Sequence, residues 1–297
     1  MAGICKSEAL KSLAMAYARP ATLEEAVRLV ASQPRASRIL AGGTDLLQKF
    51  FSEETPEAAL VSLRGIEELR RVEMGQEGQV FIGSMATHAE VALSPLVKES
   101  FPAIAKASRC VGSPAIRNRA TIGGNICNAS PSADTAPPLL GYNAKIVITG
   151  ATGERVVPIE DFFTGPSTTA LNPGEILKGF ILMPPRGWVA DYEKLGARKA
   201  MEIALVNVCV AIQKDGNGFC SDLRIALGAV APTPMRAEKA ERRLKGEKIT
   251  AKLIGEAAEA AAEEARPISD LRAAAGYRKE MVRFLVKKLL SELAGVH

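Results

Sequence analysis

The stretch Thr121-Ile122-Gly123-Gly124-Asn125 says most about the fold, and the rest of the chain is best interpreted outward from it. A helix predicted over residues 101–111 precedes it and is ended by Gly112-Ser113-Pro114. A second glycine pair, Gly42-Gly43, follows a short strand predicted over residues 37–40. Glycine lets backbone N–H groups approach a ligand closely, and successive N–H groups in a tight turn can bind an anion. Because Gly-Gly also marks ordinary turns, each pair taken alone leaves both interpretations open.

The two glycine pairs together favour a dinucleotide ligand, although they match neither common nucleotide-binding motif. The sequence contains no G-x-G-x-x-G of the Rossmann type and no G-x-x-x-x-G-K-[ST] phosphate loop. Thr44 and Thr121 stand beside the two pairs and add hydroxyl groups suited to phosphate oxygens. Two such turns, far apart in the chain, suit a pyrophosphate that is held from both sides between two subdomains.

Asp134 lies in the polar, irregular stretch 128–138 that follows the second glycine pair. Long loops without periodicity inside a compact domain are often functional. A carboxylate here can accept hydrogen bonds from ribityl or ribose hydroxyls. The alternative is an Asx turn or a helix cap before Pro137-Pro138, and the spacing alone does not choose between the two.

The composition excludes several classes of function. The net charge of +5 comes from 38 basic and 33 acidic residues that are intermixed, which argues against a nucleic-acid partner. The five cysteines form no C-x-x-C pair, so neither a disulfide framework nor an iron–sulfur site is expected. The two histidines are too few for a histidine-based metal site or a catalytic triad, and His88 is assigned to a capping box, Thr87-His88-Ala89-Glu90. No apolar run of ~18 residues is present, so we predict a cytoplasmic protein without a membrane span.

The order of elements predicts two domains of an α+β protein. Helix and strand alternate over the first part of the chain, and a boundary is predicted near residues 184–187. Beyond it, strands predicted over 204–213 and 219–229 flank the turn Asp215-Gly216-Asn217-Gly218, a strong hairpin signal. Helices follow to the end of the chain. The predicted domains are therefore residues 1–184 and 185–297.

Several of these segments resemble motifs of one protein family. Segment 39–47 is similar to the first FAD motif, and segment 112–125 to the second FAD motif, of the FAD-binding medium subunits of the xanthine dehydrogenase and carbon monoxide dehydrogenase (molybdenum hydroxylase) family. The resemblance continues in order through Ala129-Ser130-Pro131, Asp134, segments 191–195 and 198–204, and Tyr277-Arg278-Lys279. It thus covers nearly the whole chain.

The resemblance implies FAD as cofactor and gives each matching residue a role. The residues implied to wrap the pyrophosphate are Ile39, Leu40, Ala41, Gly42, Gly43, Thr44, Asp45 and Leu46, completed by Thr121, Gly123, Gly124 and Asn125. Ile122 is implied to pack near the flavin, Asp134 to hold the ribityl chain, and Leu177 and Lys194 to lie at the isoalloxazine ring. Lys194 is expected to stabilise the reduced flavin as a tuning charge. Without the resemblance, an exposed strand lysine is an equal interpretation.

The resemblance also implies a fold and partners. The fold would be α+β, with a two-subdomain FAD-binding domain of the vanillyl-alcohol oxidase type and a C-terminal antiparallel sheet with helices. A small [2Fe-2S] ferredoxin-like subunit and a large molybdopterin-binding subunit would complete the complex. The electron acceptor (NAD, ferredoxin or quinone) stays open. No side chain is expected to act as a catalytic acid or base, and no metal site is expected.

The sequence leaves two alternative functions open. The first is a free-standing flavin reductase resembling the UDP-N-acetylenolpyruvoylglucosamine reductases. It would need an acid near the flavin, and the sequence offers no convincing candidate. The second is a scaffold subunit that keeps the fold without binding flavin, against which the intact Gly, Asn and Asp positions speak.

Overall fold

The computed structural model describes residues 17–33, 37–52, 59–198 and 201–296. Of the predicted domains, residues 1–16, 34–36, 53–58 and 297 lie outside the described residues, as do Lys199 and Ala200 of the family segment 198–204. The described strands are β1 (Tyr17–Ala18), β2 (Ser37–Leu40), β3 (Ala59–Ser62), β4 (Val72–Met74), β5 (Val80–Gly83), β6 (Lys145–Gly150), β7 (Gly153–Pro158), β8 (Phe163–Gly165), β9 (Thr168–Thr169), β10 (Ile176–Leu182), β11 (Trp188–Leu195), β12 (Val206–Lys214), β13 (Cys220–Gly228) and β14 (Met235–Arg236). The described helices are α1 (Leu23–Ser32), α2 (Leu46–Ser52), α3 (His88–Leu93), α4 (Pro95–Ser100), α5 (Pro102–Cys110), α6 (Pro114–Arg117), α7 (Ile122–Cys127), α8 (Ala136–Gly141), α9 (Glu238–Leu244), α10 (Ala251–Glu264) and α11 (Ala275–Ala294).

The N-terminal part is a small α/β unit, as the alternation of helix and strand predicted. Its strands pair in parallel in the order β1-β3-β2. Helix α1 begins where the Thr22 hydroxyl accepts a hydrogen bond from the Glu25 N–H at 3.1 Å, and it buries Leu23, Ala26, Val27 and Val30 against this sheet. The Glu25 carboxylate accepts from the Ala21 N–H at 2.9 Å rather than from the N–H of the N-cap residue Thr22, so the reciprocal pair of bonds of a capping box does not form.

The middle of the first domain is an antiparallel sheet covered by short helices. The strand order is β4-β5-β10-β6-β7, so the chain leaves the sheet after β5 and returns to it with β6. The excursion contains α3 to α8, which pack the apolar side chains of Ile104, Ile122 and Leu139 into the same core as Phe180 and Ile146. This excursion carries the second glycine pair, and the Gly123 N–H donates to the carbonyl of Ser84, the residue that follows β5.

The C-terminal domain is built on an antiparallel sheet in the order β11-β12-β13-β14. The predicted hairpin between β12 and β13 forms, and the Asp215 carboxylate accepts from the N–H groups of Asn217 and Phe219 in its turn. Alternate residues of β12 point to opposite faces. Val206, Val208, Val210 and Ile212 face the core formed with α9, α10 and α11, whereas Cys209 belongs to the core of the first domain. This sheet therefore joins the two domains.

The α+β class predicted from the sequence is confirmed, and two local predictions are corrected. The stretch Thr121–Asn125, predicted as a turn, is the start of α7, with Thr121 as its N-cap. The stretch 128–138, predicted to be irregular, ends in α8, whose first residue Ala136 precedes Pro137 and Pro138. Proline is tolerated in the first turn of a helix because its missing N–H has no partner there.

None of the helices within the described ranges combines the length and the hydrophobicity needed to cross a membrane.

Candidate functional site

A cavity of about 310 Å³ lies where the two glycine pairs meet. Most of the site residues predicted from the sequence line it: Ile39, Ala41, Gly42, Gly43, Thr44, Asp45, Leu46, Thr121, Gly123, Gly124, Asn125 and Leu177. Four predicted residues are not among the described lining residues: Leu40, Ile122, Asp134 and Lys194. Residues more than a hundred positions apart thus converge on one cavity.

The first glycine pair forms a turn with unpaired backbone N–H groups. Gly43 has a φ of +79°, a left-handed conformation that glycine adopts without strain. The turn leads into α2 through hydrogen bonds from Leu47 N–H to the Gly43 carbonyl and from Lys49 N–H to the Asp45 carbonyl, both 3.1 Å. Among the described residues, no acceptor is bonded to the N–H groups of Gly43, Thr44 and Asp45. Such a run of free amides is an anion-binding arrangement.

The second glycine pair is different, because its N–H groups already have partners inside the protein. The Gly123 N–H donates to the Ser84 carbonyl at 2.9 Å, and the Gly124 N–H donates to the Thr121 hydroxyl at 3.0 Å. The Ile122 N–H donates to the Ala86 carbonyl at 3.0 Å. The second anion-binding nest expected from the sequence is therefore not formed by these amides.

Close backbone packing explains why glycine stands at both pairs. A Cβ atom on Gly42 would lie 2.3 Å from the Arg119 carbonyl oxygen, and one on Gly123 would lie 2.6 Å from the Ser84 carbonyl oxygen. Both distances are far below van der Waals contact. The absence of a side chain lets the first motif, the second motif and the segment 84–88 pack backbone against backbone, which builds one wall of the cavity.

Segment 84–88 contributes two buried polar side chains that the sequence motifs did not reveal. Ser84 is 4% exposed and His88 is 0% exposed, and both line the cavity. The Ser84 Oγ and both imidazole nitrogens of His88 have no hydrogen-bond partner. The predicted capping box at Thr87 and Glu90 is confirmed, and it explains the backbone of His88 but not its side chain. Nothing in the spacing of the sequence indicated that this imidazole faces a cavity.

Burial keeps the His88 side chain neutral. Removal from water, with a smaller contribution from the nearby Arg117 guanidinium, lowers the pKa of His88 from 6.5 to about 4. A neutral imidazole has one N–H donor and one acceptor nitrogen. His88 therefore presents one uncharged donor and one uncharged acceptor to the cavity.

The rest of the lining is mainly apolar, with a polar edge. Val111, Ile116, Leu171, Ile176 and Leu177 supply apolar surface. At the edge, Lys49 Nζ donates to Asn128 Oδ1 at 3.2 Å, and Asn128 Nδ2 donates to Asp45 Oδ1 at 3.4 Å. Lys49 is the one lysine or arginine among the described lining residues.

Asp134 and Lys194, both predicted to contact flavin, bind each other in this structure. Lys194 Nζ lies 2.7 Å from Asp134 Oδ2, and it also donates to the carbonyls of Cys110 at 3.1 Å and Glu202 at 2.8 Å. Asp134 Oδ1 accepts from the Tyr192 hydroxyl at 2.8 Å. The two residue-level alternatives are wrong. Thr135 rather than Asp134 stands at the N-cap position of α8, and no side-chain hydrogen bond caps that helix. The Lys194 side chain is buried rather than exposed.

The electrostatics of this cluster follow from its burial. Burial raises the pKa of Asp134, and the positive charge of Lys194 opposes that rise. Burial and the Asp134 charge hold the pKa of Tyr192 well above 10, so its hydroxyl stays protonated and donates. Elsewhere at the cavity, burial raises the pKa of the Cys127 thiol to about 12. In the part of the chain that the structure describes, no group of three or more His, Cys, Asp or Glu residues could hold a metal ion.

The fold is that of a two-domain α+β protein, and the lining of its cavity suits a dinucleotide that carries an aromatic ring. Free amides at a glycine turn suit phosphates, and apolar walls with neutral polar groups suit a ring system. Comparison with known proteins identifies the class more narrowly. Residues 12–185 match the family model "FAD binding domain in molybdopterin dehydrogenase", and residues 191–293 match "CO dehydrogenase flavoprotein C-terminal domain".

Individual relatives agree with these two matches. The chain is 36% identical over 278 residues to a putative xanthine dehydrogenase FAD-binding subunit of Escherichia coli, covering 93% of this chain and 94% of the relative. It is 35% identical over 280 residues to the carbon monoxide dehydrogenase medium chain of Hydrogenophaga pseudoflava, covering 93% and 95%. A solved structure of carbon monoxide dehydrogenase from Hydrogenophaga pseudoflava superposes with a TM-score of 0.90 at 33% identity, covering 95% of this chain and 97% of that chain.

The chain belongs to the family of FAD-binding medium subunits found in molybdopterin-dependent dehydrogenases. FAD is its cofactor, and it is a subunit of an oxidoreductase. The family resemblance drawn from the two glycine motifs is thereby confirmed.

Proposed function

We propose that this chain is the electron-transfer subunit of a molybdenum hydroxylase complex. It takes electrons from [2Fe-2S] clusters on a small ferredoxin-like partner and passes them to an external acceptor. A large molybdopterin-binding partner oxidises the substrate. When bound, FAD supplies chemistry that joins one-electron donors to a two-electron acceptor. The names of the relatives, a xanthine dehydrogenase FAD-binding subunit and a carbon monoxide dehydrogenase medium chain, support a multi-subunit assembly.

One observation carries the cofactor part of this proposal: the three free amides of Gly43, Thr44 and Asp45 open onto a cavity with apolar walls. These amides would hold the pyrophosphate, together with the Lys49 ammonium group at the edge. The second motif would contribute through the side chains and backbone surface of Thr121, Gly124 and Asn125. Leu177 would pack against the isoalloxazine ring.

We propose that Asp134 and Lys194 support the FAD site by holding the two domains together rather than by contacting the flavin directly. Their buried ion pair joins the FAD-binding part to the C-terminal sheet. Lys194 Nζ has the Asp134 carboxylate and two carbonyls as partners, so its positive charge is fixed in place. Because Asp134 balances this charge and Lys194 does not line the cavity, the pair would act on the flavin through the position of the C-terminal sheet rather than as a charge beside the ring.

We propose that the two domains have different roles. Residues 1–184 would form the FAD-binding domain, which contains all the described lining residues of the cavity, and residues 185–297 would form the C-terminal domain packed against it. Within the described residues, all four cysteines are free thiols, and we place the complex in the reducing cytoplasm on that basis.

The test uses the full chain, first alone and then with its partners. Apo-chain titrated with FAD should acquire bound flavin absorbance with one site per chain. Co-expression with a large molybdopterin-binding subunit and a small [2Fe-2S] subunit should give a complex in which substrate reduces the flavin. NAD, ferredoxin and a quinone are then offered as acceptors to the reduced complex.

The outcomes separate the proposal from its two rivals. A chain that shows no flavin absorbance after incubation with FAD, yet still assembles with its partners, would be a scaffold. A chain that alone oxidises NADPH and reduces a small substrate would be a free-standing flavin reductase. An assembled complex whose flavin stays oxidised when the iron–sulfur clusters are reduced would contradict the proposed electron route.

A further inference from the structure

Two buried polar side chains of the cavity have no partner within the protein. The Ser84 Oγ and the His88 nitrogens lack hydrogen bonds, although both residues are almost completely removed from water. Leaving a buried donor or acceptor unpaired is costly, so such groups in a folded protein call for a ligand or another partner. Both groups line the cavity, which provides the place for one.

We propose that Ser84 and His88 are hydrogen-bonding contacts for an uncharged polar edge of the isoalloxazine ring, and that they position the ring in the cavity. This inference rests on the proposed FAD site and extends it, because neither residue belongs to the two glycine motifs. Segment 84–88 then becomes a third cofactor-binding segment of the chain.

The position of the segment favours the flavin half of FAD over the ADP half. The Ser84 N–H donates to the Lys178 carbonyl at 3.0 Å, so Ser84 lies beside β10 and its residue Leu177. Leu177 lines the same cavity and is the residue proposed to pack against the ring. Val111 and Ile116 line the same cavity as His88 and provide apolar walls that suit the face of an aromatic ring.

The chemistry of the two side chains also favours a neutral partner over a phosphate. A serine hydroxyl and a neutral imidazole each combine donor and acceptor capacity. Burial keeps His88 uncharged at neutral pH. Phosphate oxygens have better partners elsewhere in the cavity, at the free amides of Gly43 to Asp45 and at the Lys49 ammonium group. The ring edge, which carries both carbonyl and N–H groups, matches what Ser84 and His88 offer.

The experiment compares FAD with ADP on the full apo-chain, because ADP lacks the flavin half. The variants are Ser84→Ala, His88→Leu, which removes both nitrogens, and His88→Gln, which keeps a donor and an acceptor. Ser108→Ala is the matched control, since the Ser108 Oγ on α5 is equally buried and unpaired but does not line the cavity. Dissociation constants are measured by titration, with ADP as a competitor, and the absorption spectrum of bound flavin is recorded.

Loss of one neutral hydrogen bond predicts a roughly fivefold weaker FAD affinity for His88→Leu. ADP affinity should stay within about twofold of wild type, and the bound-flavin spectrum should shift. Ser84→Ala should weaken FAD in the same selective way, His88→Gln should recover most of the affinity, and Ser108→Ala should bind FAD and ADP like wild type.

Two results would overturn the assignment. One is wild-type FAD affinity and spectrum in both His88→Leu and Ser84→Ala. The other is an equal loss of FAD and ADP affinity, which would indicate damage to the whole cavity. These results are distinct from failure of the proposed function, in which the wild-type chain itself would bind no FAD.

Discussion

The Asp134 carboxylate and the Lys194 ammonium group lie 2.7 Å apart, and each side chain is only 8% exposed. Asp134 precedes α8 in the first domain, and Lys194 lies on β11 of the C-terminal sheet. The strand register places Lys194 opposite Asn207, whose side-chain amide also donates towards Asp134 at 3.5 Å. One buried carboxylate thus collects donors from two strands of the other domain and ties the domains together.

Removing one member of this pair should destabilise the chain strongly. Asp134→Asn leaves the Lys194 ammonium group buried without its counter-ion, and losses of about 3–5 kcal/mol are typical for a broken buried pair. Urea unfolding of the apo-chain measures the change. Glu238→Gln is the control, because Glu238 pairs with Arg242 on an exposed helix face, and such pairs contribute about 0–1 kcal/mol.

A double variant tests whether the loss comes from the unpaired charge. Asp134→Asn combined with Lys194→Met removes both charges, and it should recover a large part of the stability lost in Asp134→Asn. Equal stability of the single and double variants would show that the ion pair is not what holds the domains together.

The fold class and the C-terminal hairpin could be predicted from the sequence, because both depend on local patterns. Paired glycines, the hairpin turn at Asp215–Gly218 and the alternating residues of β12 are all set by neighbours in the chain. The same alternation indicates that Cys209 points to the face of β12 opposite Val208 and Val210. It does not indicate that this face packs against the first domain.

What the sequence could not predict are partners far apart in the chain. The family resemblance implies that Asp134 holds the ribityl chain, whereas its hydrogen bonds in the structure go to Tyr192 and Lys194 on a strand of the other domain. The cavity position of His88 follows from the meeting of the segment 84–88 with α7, which only the packed fold defines. The spacing of residues in the sequence indicates neither the partners of Asp134 nor the position of His88 at the cavity.

Acid should weaken the fold through Glu175. The paired hydrogen bonds from the Arg155 guanidinium, at 2.8 and 2.7 Å, are the main cause that lowers the pKa of Glu175 from 4.5 to about 2. A depressed pKa means that the folded state binds fewer protons than the unfolded state. The stabilising contribution of Glu175 is therefore fully present above pH 4.5 and is lost as the pH falls from 4.5 towards 2.

The measurement is the free energy of unfolding as a function of pH. Glu175→Gln should be less stable than wild type at neutral pH, and the difference should shrink as the pH falls through that window. Arg155→Met removes the partner and should flatten the same part of the curve. Parallel curves for wild type and Glu175→Gln would contradict the prediction. Since Arg155 also donates to the Ala170 carbonyl at 2.7 Å, the pair holds the loop that carries Leu171 to the cavity.

Gly43→Ala should weaken FAD binding, because the added side chain would displace the free amides of the turn. A Cβ on Gly43 would lie 3.0 Å from Leu47 Cδ1 and 3.1 Å from Leu40 Cδ1, and the φ of +79° disfavours any other residue. Gly43→Ala should therefore shift the free amides of the turn and weaken FAD binding by about tenfold or more, since about 1–2 kcal/mol opposes the turn. Fluorescence titration with FAD measures the effect.

Gly78 offers a matched control for the backbone term. Its φ of +75° is nearly the same, but nothing lies within 4 Å of an added Cβ, and it does not line the cavity. Gly78→Ala should cost a similar amount of folding stability and leave FAD affinity unchanged. If both variants lose FAD affinity equally, the turn at Gly43 has no special role in binding.

Lys49 should contribute to FAD affinity through its charge, and this contribution should depend on salt. It is the one lysine or arginine among the described lining residues, and its ammonium group lies at the open edge of the cavity near Asn128. Pairing of an exposed ammonium group with a phosphate contributes about 1 kcal/mol, so Lys49→Met should weaken FAD roughly fivefold at low salt. The difference should shrink towards ~1 M salt because screening then acts over about 3 Å. ADP carries the same pyrophosphate, so its affinity should fall in parallel, in contrast to the flavin-selective loss expected for His88→Leu.

The control variant is Lys98→Met, because Lys98 lies on the exposed face of α4 and does not line the cavity. It should change the affinity for neither FAD nor ADP. A loss of FAD affinity that persists unchanged at high salt, or one that spares ADP, would show that Lys49 does not act on the phosphates.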